Sequence, residues 1–113
     1  MTENYQPIDI IQFEEDVYFS RSVVRLGAAA KPGDLLTETD DGSVVLTDGS
    51  DEDALKNLMG IALGAGEKDT EITVLARHAR YNPKCLNVEK PHLTAVKRAL
   101  SHTGLIAAEM ENN

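Results

Sequence analysis

Three histidines, His78, His92 and His102, and one cysteine, Cys85, are the side chains of this 113-residue chain best suited to chemistry near neutral pH. A thiol next to an imidazole becomes a nucleophile because the imidazole takes its proton. His78 and His92 are the partners open to Cys85, but no third residue that would orient the imidazole is implied. Cys85 reads more simply as a small buried apolar residue. His78 shares a strand face with Ile72, Val74 and Ala76, and reads as a partly buried histidine with a hydrogen-bond partner. Metal chemistry has no better footing: there is no CxxC, no HExxH and no histidine pair at i, i+4. The acids between Asp48 and Asp53 do not keep the alternate-ligand spacing of a calcium loop, so they read as solvated turns. Gly60, Gly64 and Gly66 are not followed by Lys-Ser/Thr, so they make no phosphate loop. These residues predict no enzyme, cofactor or metal. A short acidic chain without a chemical constellation is usually a binding or structural component.

Charge narrows the partners. Lys plus Arg number 11 and Asp plus Glu 19, a net of −8. Affinity for nucleic acid comes mainly from neutralising phosphates, and anionic lipid asks for the same cations. Neither nucleic acid nor a membrane surface is therefore expected as a partner, and a protein surface remains open. Hydrophobic residues make up 42% and aromatic residues only 4%, so the core must be built from Val, Ile, Leu and Ala. The length allows one domain. A single cysteine fits a reducing cytosol, and the first residues show neither a basic nor an apolar signal region.

The elements that would position these residues are mostly strands. Residues 1–14 read as an arm, with Ile8 and Ile10 alternating as in an extended strand, either free of the domain or tucked into its own sheet. Residues 17–26, rich in β-branched and aromatic side chains, read as one strand with a break near 20–22. Pro32-Gly33 specifies a type II turn. Residues 35–39 and 43–47 form a hairpin around Asp41-Gly42, a type I′ candidate. The segment from Ser50 reads either as a short helix capped by Ser50 and stopped by Gly60, or as a structured loop, since under three turns is marginal alone. Residues 59–63 read as a buried strand with a close backbone approach at Gly60. Residues 70–80 read as one long strand, ended by Asn82-Pro83. Residues 91–103 are the clearest helix: Pro91 opens it, Leu93, Val96 and Leu100 form its apolar stripe, and Gly104 follows it. Residues 105–108 give a last strand, and 109–113 a polar tail. The order predicts a small α+β domain, mostly β, with a barrel-like sheet.

The succession GAAAKPGDLL, TDDGSVVL, MGIALGAG, EITVLARHARYN and HLTAVKRALSHTGLIA resembles the head decoration proteins of tailed phages. Gly60-Ile61-Ala62-Leu63, Val74-Leu75-Ala76-Arg77, residues 93–100 and Gly104-Leu105-Ile106 stand where that family has its central strand, its Arg-containing strand, its helix and its closing strand. Leu86-Asn87-Val88-Glu89 stands where the family carries an aromatic residue. The resemblance covers roughly residues 15–108. It implies a β-tulip domain with an extended N-terminal arm (1–14), a decoration domain (15–108) and the tail (109–113). It also implies a homotrimer that binds the major capsid protein on the outside of the expanded head and stabilises it against packaged DNA. The protein would be made in the host bacterial cytoplasm and end in the virion. Tyr5, Ile8, Ile10, Ile11 and Phe13 would be the arm's capsid-binding anchors, and deleting residues 1–12 would leave a folded domain that no longer binds capsids. Two other readings stay open: a small ligand- or metal-binding β-barrel using His78 and Cys85, and an assembly adaptor.

Overall fold

The computed structural model describes residues 7–108, with residues 7 and 8 as backbone only. It is an α+β domain, mostly β, with eight strands in two sheets. Five antiparallel strands form the larger sheet in the order β2-β6-β5-β3-β4: β2 (Arg21–Arg25), β3 (Leu35–Glu38), β4 (Val44–Thr47), β5 (Leu58–Ala62) and β6 (Glu71–Leu75). The smaller sheet has the order β1-β7-β8: β1 (Ile11–Glu14), β7 (Ala79–Tyr81) and β8 (Leu105–Ala107). β1 runs antiparallel to β7 and β8 parallel to it. The helices are single turns at Pro7–Ile10 (α1) and Val17–Ser20 (α2), the short α3 (Glu52–Lys56) and the twelve-residue α4 (Lys90–Ser101).

Adjacent residues on the central strands point to opposite faces, and this builds two cores. Leu36, Val44, Ala62, Val74 and Val24 pack on the inner side of the five-stranded sheet. The sheet curls until its two edge strands meet at one corner, where the Gly27 N–H donates to the Val44 carbonyl at 2.7 Å. It is barrel-like in that sense, joined at a corner and not by a closing ladder. Leu35, Ile61 and Leu75 face the other way and pack against Ile10, Tyr81, Val96, Leu100 and Leu105 of the second layer. Strands covered on both faces lose the polar alternation of a half-exposed sheet. α4 joins this layer through Val96 and Leu100, both fully buried, each contributing about 1.5–3 kcal/mol.

Several local expectations hold. Gly33 at φ +93 closes the Lys31–Asp34 turn, with the Asp34 N–H donating to the Lys31 carbonyl. Gly60 lies in β5 at φ +140, against the Leu75 carbonyl, at the bulge where the β3–β5 register shifts. Gly104 at φ +82 follows α4.

Others are corrected. The hairpin turn is not type I′, because only Gly42 has positive φ. The Gly42 N–H donates to the Thr39 carbonyl and the Thr39 N–H to the Ser43 carbonyl, a three-residue loop with Gly42 in the left-handed region. Asp51, and not Ser50, caps α3, which ends at Lys56, ahead of Gly60. Residues 17–20 form a helical turn and not a strand, since the Asp16 side chain accepts the Tyr18 N–H at 2.9 Å and caps it. The long strand of 70–80 is two strands in different sheets. The chain turns between them at His78, φ +52, while the Ser20 carbonyl accepts the Ala76 and Arg77 N–H groups.

The N-terminal segment divides. Tyr5 lies outside the described residues, as does the side chain of Ile8. Ile10 is 0% exposed in the second core, Ile11 packs against that core, and β1 pairs with β7. Of the five anchors only Phe13 has a described side chain that is exposed. Deleting residues 1–12 would therefore remove core as well as arm.

Candidate docking surface

The residues that sequence reasoning placed in a site are not brought together as one. Cys85 is buried, with its Sγ donating to the Asp9 carbonyl at 3.3 Å. His78 is half-exposed, its ring centroid 5.0 Å from that of Phe19 and its Nδ1 4.0 Å from Glu15. Among the described residues no group of three or more His, Cys, Asp or Glu is placed to hold a metal ion. No helix among them is long and apolar enough to cross a membrane. Asp48 accepts the Ser50 hydroxyl at 2.6 Å and the Ser50 N–H at 2.9 Å, a closed turn. The Ser50 hydroxyl, its N–H and nearby His92 hold the Asp48 carboxyl below the usual carboxylate range.

The structure adds to Phe13, the one exposed anchor, four residues that the sequence does not single out. Phe13, Val17, Tyr18, Phe19 and Val23 all stand in solvent along β1, α2 and β2, Tyr18 at 93% and Val23 at 64%. These exposed side chains make the segment from Phe13 to Val23 a candidate interaction surface. Val17-Tyr18-Phe19, directly after Glu14-Glu15-Asp16, was the available signal: three consecutive apolar residues cannot all point inward from one strand.

Polar contacts hold this apolar turn in place. The Ser20 hydroxyl, fully buried, donates to the His78 carbonyl at 3.1 Å. Arg77 donates to the Phe19 carbonyl and, at 2.7 Å, to the Ser22 hydroxyl, while its guanidinium lies 5.4 Å from the Phe19 ring centroid. That distance is within cation–π range. Arg21 donates twice to Glu14, both at 2.8 Å, a fork-to-fork pair that ties β1 to β2. The hydrogen bonds to Glu14 raise the Arg21 pKa further above its ordinary value. Aromatic side chains presented on a fixed backbone lose little entropy when a partner covers them.

The smaller sheet continues the apolar theme on its outer face. Phe13 pairs across to Arg80, and Arg80 to Ile106, all three exposed. β1 and β8 are the edges of this sheet, and no other strand among the described residues pairs with their outer sides. The arrangement can bind a protein surface or an extended segment.

No family model matches this chain, and no curated protein does.

Proposed function

We propose that this chain is a non-enzymatic capsid decoration protein: it binds the major capsid protein on the outside of the expanded phage head, as a homotrimer, and stabilises the shell against packaged DNA. The observation that carries this reading is the exposed apolar set Phe13, Val17, Tyr18, Phe19 and Val23, held in place by Arg77 and Ser20. The resemblance of residues 15–108 to the decoration proteins supports it, and so does the α+β, mostly β architecture. In this reading docking uses the free edge of β1 and the aromatic turn behind it, together with the residues that precede β1. A capsid strand added to β1 would gain backbone hydrogen bonds, with alternate side chains reading its sequence. Many copies on one shell act together, so each contact can be modest. The protein would be assembled in the host cytoplasm and reside on the virion's outer surface.

Co-sedimentation with expanded, DNA-free shells of the parent phage tests the reading, with unexpanded shells as the control. Saturable binding to expanded shells alone is the expected result, and Tyr18→Ser should weaken it without moving the melting temperature. No binding to either shell overturns the proposal. A melting temperature that rises with added metal would favour a metal-binding barrel instead.

A further inference from the structure

We infer that the outward face of α4 is the surface by which one copy of this chain meets a second copy, seating against that copy's acidic groove. The inference rests on the homotrimer reading and assigns its contact.

Charge is segregated along this chain. Between residues 72 and 108 the cations are Arg77, Arg80, Lys84, Lys90, Lys97 and Arg98, against a single carboxylate, Glu89. α4 turns Val96 and Leu100 into the core and leaves Lys90, Thr94, Arg98 and Ser101 exposed at helical spacing on its other side. The complementary charges lie in a groove of about 960 Å³ between the β3–β4 hairpin and α3, lined by Glu38, Asp40, Asp48, Asp51 and Asp53. Neither Lys90 nor Arg98 has an ion-pair partner among the described residues. A sixth groove carboxylate, Asp34, pairs with Lys31 at 3.8 Å, but the five named above pair with no Lys or Arg there. One convex cationic surface and one concave anionic surface are thus both largely uncompensated within a single copy. α4 cannot satisfy its own groove, because its inner side is held by the core.

The two surfaces differ, so the contact between copies is head-to-tail, and such a contact closes into a ring when the rotation between successive copies returns to the first. Copies carrying a net charge of −8 repel one another in most orientations. Opposite local charge selects the one orientation in which they do not, and salt should weaken it.

Sedimentation velocity of the full chain over a concentration series, at low and high salt, tests this without shells. Two double variants are compared with the wild type: Lys90→Glu with Arg98→Glu, and Asp40→Lys with Asp53→Lys. Thermal melts confirm that each is folded. The wild type should associate, with affinity falling as salt rises. Each double variant alone should associate more weakly by on the order of tenfold or more. An equimolar mixture of the two should recover association, because each reversed surface then meets its reversed counterpart. A wild type that stays monomeric throughout, variants that associate as well as the wild type, or a mixture that fails to recover would each overturn the inference. Shell binding is read separately: a chain that associates but ignores shells sinks the decoration reading alone, and one that decorates shells without associating sinks this inference alone.

Discussion

Gly60→Ala probes the close approach of β5 to the end of β6, on which both cores depend. A methyl at this position would overlap the Leu75 carbonyl oxygen and stand 3.1 Å from both the Leu75 carbonyl carbon and Ala76 Cα. All three are backbone atoms of the neighbouring strand, so no side chain can rotate out of the way. The φ of +140 is itself a region that L-residues avoid, at about 1–3 kcal/mol. Relief would require β5 and β6 to separate by several tenths of an ångström, beside the Ile61–Leu75 pairing. Weakening one or two ladder hydrogen bonds there adds about 1 kcal/mol each. The sum is about 2–5 kcal/mol, against a total stability of roughly 6–17 kcal/mol for a domain of this size. At about 4 °C per kcal/mol, the melting temperature should fall by about 8–20 °C. Gly64→Ala is the matched control. Nothing lies within 4 Å of its methyl, so it should be neutral or stabilise by up to about 1 kcal/mol. Thermal melts followed by far-UV circular dichroism measure both. If Gly60→Ala melts with its control, the close approach of the two backbones is not what the structure describes.

Three further outcomes follow from particular contacts. Ile10→Ala should cost about 2–4 kcal/mol in denaturant unfolding, because its side chain is fully enclosed; wild-type stability would mean that the N-terminal segment is not part of the core. Thr37 donates its hydroxyl to the Ala54 carbonyl at 2.7 Å and to the Asn57 carbonyl at 3.1 Å, pinning the end of α3 to β3. Thr37→Val should cost about 1–1.5 kcal/mol and speed amide exchange in α3, and unchanged exchange would refute the pinning. The Asp41 carboxyl is held below the usual range by the Thr39 hydroxyl and then by the Ser43 N–H, and Asp48 by Ser50. A carboxyl depressed in the folded state stabilises above its unfolded pKa, near 4, and that stabilisation fades as pH falls through the folded value. Carboxyl NMR titrations should therefore place both groups below a free aspartate, and Asp41→Asn should flatten the acid limb of the stability profile. Ordinary titration of both would show that these turn hydrogen bonds do not form.

What the sequence determined by itself was local. Pro32-Gly33, Asp41-Gly42 and Asp48-Gly49 mark turns because glycine alone takes positive φ without strain, whatever surrounds it. The α4 stripe of Val96 and Leu100 is legible because helical spacing puts one face inward in any context. Gly60 could be read as a close approach because a glycine inside an apolar strand leaves room for another backbone. Tertiary structure decided the rest. No glycine or proline marks His78, yet the 70–80 segment breaks there, where Ser20 binds the backbone on both sides of the turn and the two sheets diverge. The helical turn at Val17–Ser20 defeats the β propensity of its own residues, because capping by Asp16 and the hydrogen bonds at Ser20 outweigh it. Ile10 alternates with Ile8 as an arm anchor would. It is a core residue because the second layer, assembled from β7, β8 and α4 some seventy to ninety-five residues later, leaves space that only it fills. The exposed aromatic turn belongs to the same category. Its residues are apolar in the sequence, but that they remain outside is a property of packing, which no single segment contains.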